Sequence, residues 1–175
     1  MALNDVLDLI LELEGEYSAD PADRGGRTQY GVTEDVARRY GITDVRTITP
    51  EQARRIYLDY LPAHFSRLPV SFVALFLHFA VLSGRHRAVE RLQSVLGVKR
   101  DGVTADGGET HRALMQRLAN TTSRHRLYVE YAVAQQWYLL SIAERSLSQQ
   151  RFLRGWLRRV LVVLVWAMEH DDETS

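Results

Sequence analysis

The run from Val70 to Leu82, VSFVALFLHFAVL, limits the fold more than any other stretch of the chain. It is apolar on nearly every side, so as a helix it offers no face that gains from contact with water. Such a helix belongs at the centre of a core, with other elements packed around it. The rest of the chain has to supply that jacket.

The pieces of the jacket read mostly as helices. Leu3, Val6, Leu7 and Ile10 recur at helical spacing, which predicts an amphipathic helix over residues 3–14 that Gly15 can end. From Glu16 to Thr33, EYSADPADRGGRTQYGVT, the periodicity breaks; the proline, the glycines and the β-favouring Thr28 and Tyr30 predict a loop and a small hairpin. Thr33, followed by Glu34 and Asp35, is a candidate N-cap for a helix reaching Gly41. Thr49-Pro50-Glu51-Gln52 spells a capping box with proline at the first helical position. Further helices are expected at about 86–96, 109–119, 124–146 and 149–169. The expected fold is mainly α, with one small β-hairpin near the N-terminus and a helical C-terminal half.

A chain of 175 residues holds one compact body or two small lobes sharing a core. Its formal net charge is zero, which argues against a nucleic-acid binder held by a bulk basic surface. The charge is unevenly spread. Residues 1–60 carry 12 acidic and 7 basic side chains, whereas 61–175 carry 10 acidic and 15 basic. The basic half suits an anionic polymer such as a cell-wall glycan with its peptide carboxylates, although solvated helix faces give the same pattern.

With no cysteine, disulfides, thiolate metal sites and a cysteine nucleophile are excluded. The six histidines fall in no ligand spacing, and His78, inside the apolar run, reads as a core residue, so no metal or other cofactor is expected. No G-x-S-x-G or phosphate-binding glycine loop is present. The N-terminus has acidic residues among its apolar ones and no basic n-region, so no secretory signal is expected. The stretch VLVVLVWAM at 160–168 is about half the length needed to span a bilayer, and no stable membrane insertion is expected.

Glu14 is the residue that points to chemistry. On a helix it falls close to the centre of the stripe made by Leu3, Val6, Leu7 and Ile10, so its carboxyl is directed to the core side. It also lies in the last turn, where the negative end of the helix dipole disfavours the anion. Both effects are expected to raise its pKa, as a general acid requires. The structural alternative is a carboxylate bent out to solvent or paired with an arginine such as Arg27. A glycosidase needs a second polar group across the scissile bond, and Asp20, Asp23 and Thr28 stand within reach. Asp20, before Pro21, reads as a turn former; Asp23, ahead of Gly25-Gly26, is freer to project, and Thr28 can orient a water.

The segments Glu14-Gly15-Glu16-Tyr17, Asp20-Pro21-Ala22-Asp23, Gly25-Gly26-Arg27-Thr28 and Tyr30-Gly31-Val32-Thr33 together resemble the signature of glycoside hydrolase family 108. That resemblance implies a lysozyme-like fold and N-acetylmuramidase activity on peptidoglycan, with Glu14 in the place of the catalytic glutamate. Asp23 and Thr28 are the candidate assisting residues, and Tyr17, Asp20, Gln29 and Tyr30 the candidate substrate-binding ones. Downstream, His78 to Gly84, Ala88 to Gly97, Asp101-Gly102-Val103 with Thr110, and Phe152 to Arg159 resemble the family's C-terminal peptidoglycan-binding-like region. The implied organisation is a catalytic region over 1–84 and a helical region over 85–175 packed on it as one body. Three positions depart from the pattern: Glu16 replaces the second glycine of E-G-G-Y, Leu82 stands where asparagine is common, and 104–109 is longer and richer in glycine.

The expected partner is the peptidoglycan glycan strand. Two other readings stay open: a lytic transglycosylase, which needs the same acid but no activated water, and a non-catalytic wall-binding or virion protein. Synthesis in the cytoplasm and action on the wall imply passage through a holin pore or secretion machinery.

Overall fold

The computed structural model describes residues 3–19 and 26–171. The described chain runs α1 (Leu3–Glu14), β1 (Thr28–Gln29), β2 (Val32–Thr33), α2 (Glu34–Arg39), α3 (Pro50–Leu58), α4 (Val70–Ser83), α5 (Arg85–Leu96), α6 (Glu109–Leu118), α7 (Thr121–Glu144) and α8 (Leu147–Glu169). Short 3-10 turns at Val45–Thr47 and Ala63–Arg67 join these elements. This is the mainly helical architecture with one small N-terminal hairpin that the sequence implies.

The apolar run occupies the centre. On α4 every residue from Ser71 to Ala80 is buried, and α1, α5, α7 and α8 all pack against it. Phe65 meets Phe72 and Phe76 edge-on, and Phe79 meets Tyr131 and Tyr138 in the same way, so aromatic rings bind α4 to its jacket. Leu82 sits at the margin of this core, partly buried against it.

Local chemistry sets the element ends. The capping box at Thr49 is formed: the Gln52 amide donates to Thr49 Oγ1 at 3.3 Å and the Thr49 amide donates to Gln52 Oε1 at 2.9 Å. Thr33 caps α2 by accepting from the Val36 amide. Helix α7 begins three residues ahead of the expected 124, because Asn120 accepts from the Ser123 amide at 2.9 Å and supplies the N-cap.

Two buried polar side chains tie the helices together. Gln93 donates to Asp101 Oδ1, the Val103 carbonyl and Thr110 Oγ1, and accepts from the Asp101 and Gly102 amides. It thereby pins the Asp101-Gly102-Val103 turn to α5 and α6. Asp171, beyond the end of α8, accepts from Ser71, Tyr128 and Arg124 and pairs with His125, holding α8 to α4 and α7. Burial would raise the Asp171 carboxyl, but the Arg124, Ser71 and Tyr128 hydrogen bonds outweigh it and hold it below the usual carboxylate range.

Candidate active site

Three chain segments converge on Glu14. Helix α1 ends at it, with Gly15 at φ +72° donating its amide to the Leu11 carbonyl and turning the chain away. The hairpin closes over it. Thr28 pairs with Thr33 and Gln29 with Val32, leaving Tyr30 and Gly31 as the turn, both at positive φ. A Cβ built on Gly31 would lie 3.0 Å from Glu14 Cγ and Oε2, so the turn rests directly on the carboxyl and glycine is required there.

Tyr30 adopts φ +50°, which a non-glycine residue seldom does. The hydroxyl of Tyr57 on α3 donates to its carbonyl and holds the turn in place. Burial first, and then the negative charge of Glu14, push the Tyr57 hydroxyl pKa upward. Tyr57 is therefore buried beside the carboxyl as well as beneath the hairpin.

The third segment is α8. Arg159 Nη1 lies 3.1 Å from Glu14 Oε2 and 3.3 Å from the Leu13 carbonyl, with the Arg159 and Glu14 side chains only 18% and 7% exposed. One guanidinium thus binds both the carboxyl and a last-turn carbonyl of α1, where a cation also opposes the negative helix end. Arg27, the partner considered from sequence, pairs instead with Glu34 at 2.6 Å. Behind Arg159 lies His78 of α4, fully buried; burial first, and then the Arg159 charge, push it down to about 3, so it stays neutral.

The other expected site residues are distributed around this centre. Thr28 lies in β1 with its backbone bonded to Ser18 in both directions at 2.9 Å, Gln29 is buried, and Tyr30 forms the turn. Tyr17 is 43% exposed, and Glu16 is exposed as well. Asp20 and Asp23 lie outside the described residues. Arg159, Tyr57 and Gly31 are the neighbours of Glu14 that sequence reasoning did not single out. The only sequence signal for Arg159 was its place at the end of the Phe152 to Arg159 segment. No group of metal-binding side chains occurs among the described residues.

The arrangement is a carboxyl withdrawn from water, roofed by a backbone turn and oriented by a guanidinium. Such a group can transfer a proton to, or place negative charge beside, a bond lying across the turn.

Residues 7–84 match the glycosyl hydrolase 108 family model, and residues 87–161 match a predicted peptidoglycan domain. A solved structure titled "Structure of Brucella abortus SagA" is similar over 98% of this chain and 97% of its own, with a TM-score of 0.74 and 26% identity. No curated protein matches the chain. Glu14 lies in the first matched segment and Arg159 in the second, so the two meet at the candidate site. With both matches in chain order and a full-length structural likeness, the chain resembles the glycosyl hydrolase 108 family over residues 7–84, carries a peptidoglycan-binding-like region after it, and is a peptidoglycan hydrolase of the glycosidase kind.

Proposed function

We propose that the chain is an N-acetylmuramidase that cleaves the β-1,4 bond between N-acetylmuramic acid and N-acetylglucosamine, with Glu14 as general acid. The observation that carries this reading is the buried Glu14 carboxyl beneath the Tyr30–Gly31 turn, at the end of the helix that opens the glycosyl hydrolase segment. Burial and the helix end disfavour its anion, while Arg159 favours it. These opposed influences suit a carboxyl that has to give up a proton to the leaving oxygen and take one back in each turnover. Arg159 also fixes the rotamer, so little orientation is lost on reaching the transition state.

Asp23 and Thr28 complete this reading as the groups that hold the attacking water, with Tyr17, Asp20 and Tyr30 along the strand-binding surface; Gln29, buried in β1, is withdrawn from that surface. Access to the wall would come from a holin pore or secretion machinery.

Digestion of peptidoglycan followed by mass spectrometry of the products tests the reading. Reducing muramic acid ends are expected, with the rate falling by about 10²–10⁴ in Glu14→Gln. Products ending in 1,6-anhydro sugars would make the chain a lytic transglycosylase, and an active Glu14→Gln variant would remove Glu14 from the acid role.

A further inference from the structure

A groove of about 360 Å³ opens directly beside the Glu14–Arg159 pair, between Leu13 at the end of α1 and Arg151, Gly155, Trp156, Arg158 and Arg159 of α8. None of its lining residues is acidic, and α8 carries arginines at 151, 154, 158 and 159 with no acidic residue before Glu169. Three of these arginines, Arg151, Arg158 and Arg159, line the groove next to the candidate acid. Trp156 stacks on Phe152 at 6.0 Å between ring centroids, giving the groove a flat apolar wall beside its cations.

Gly155 is the informative residue. It lies in the interior of a 23-residue helix, where glycine is the poorest helix former after proline. Neither backbone nor packing explains it, since its φ is not in the left-handed region and a Cβ there would meet nothing within 4 Å. A Cβ at 155 would stand only in the groove. Glycine keeps that space open, one helical turn from both Arg151 and Arg158 or Arg159.

Resting on the muramidase reading, we infer that this groove binds the stem peptide of the muramic acid unit through its carboxylates. In that substrate the sugar whose anomeric carbon is released carries its peptide through the lactyl group on the same ring. The peptide therefore leaves the active site beside the scissile bond, and a groove that receives it has to begin at the acid. Arg158 and Arg151 supply guanidinium groups for carboxylates, Trp156 supplies a face for the apolar part of the peptide, and Gly155 lets the peptide backbone approach the helix.

The test compares kcat/KM on peptide-bearing glycan strands with kcat/KM on the same strands stripped of peptide by an amidase. The wild type is expected to favour the peptide-bearing strands. Arg158→Ala and Gly155→Leu should each lower that ratio about tenfold, chiefly through KM on the peptide-bearing strands. Gly155→Ala, which should melt at the same or a higher temperature, should lower the ratio less but in the same direction. A ratio unaltered in all three variants would overturn the inference. Should the chain prove not to cleave glycan at all, titration with a disaccharide-peptide monomer and with its peptide-free disaccharide still decides. Preference for the peptide-bearing monomer, weakened by Arg158→Ala, upholds the groove; equal binding of the two overturns it.

Discussion

Arg159 of α8 grips Glu14 of α1 from 145 residues away, with Nη1 3.1 Å from Oε2 and the same nitrogen 3.3 Å from the Leu13 carbonyl. The pair joins the C-terminal helix to the candidate general acid, so stability and activity are coupled through it. Removing either partner of a buried ion pair leaves the other charge uncompensated and costs about 3 kcal/mol, whereas removing both costs much less. Arg159→Met and Glu14→Met are therefore each expected to be strongly destabilising in urea denaturation, and the double variant to recover part of the loss. A coupling above about 1 kcal/mol is expected from the cycle. Strict additivity would show that the pair does not form in solution.

The hairpin turn makes a separate prediction. Gly31→Ala meets two costs: a left-handed backbone at φ +67°, and a Cβ 3.0 Å from Glu14 Cγ and Oε2. Gly41→Ala meets only the first, since its φ is +74° and nothing lies within 4 Å. Both variants should lose about 1 kcal/mol of stability from the backbone. Only Gly31→Ala should also lose kcat, by tenfold or more, because it displaces the carboxyl. Equal kcat in the two variants would mean that the turn does not position Glu14.

What was legible in the sequence was local. Helical periodicity placed α1 and α4, the Thr49 capping box placed α3, and the stripe of α1 singled out Glu14, because each signal lies within a few residues of the structure it specifies. What was hidden was the pairing of distant residues. Arg27 stands nearer to Glu14 in the chain than Arg159 does, but hairpin geometry gives Arg27 to Glu34, and only the packing of α8 against α4 brings Arg159 to the carboxyl. Gln93 likewise carries no sign in its own neighbourhood that it will hold the Asp101–Val103 turn and Thr110 together. The sequence reading of His78 as a core residue agrees with its full burial, but the charge beside it could not be read from spacing.

That charge makes His78 the basis of a pH prediction. The imidazole is fully buried, both ring nitrogens lack a hydrogen-bond partner among the described residues, and burial together with Arg159 pushes it down to about 3 from an ordinary 6.5. Between those two values the unfolded chain binds a proton that the folded chain refuses. Stability from this group is therefore complete above about pH 6.5 and falls as pH drops toward 3, by about 1.4 kcal/mol for each unit. His78→Leu removes the titrating group and the two unsatisfied nitrogens while nearly preserving the packing volume. It should be at least as stable as wild type at pH 7, since replacing an unsatisfied buried polar group by an apolar one is neutral or favourable. Its advantage should grow on acidification, reaching roughly 3 kcal/mol near pH 4.5. Urea denaturation of both proteins at pH 7, 5.5 and 4.5 measures this directly. Parallel pH dependences would show that His78 is protonated in the folded protein, and a His78→Leu variant less stable at pH 7 would show that its ring nitrogens are bonded after all.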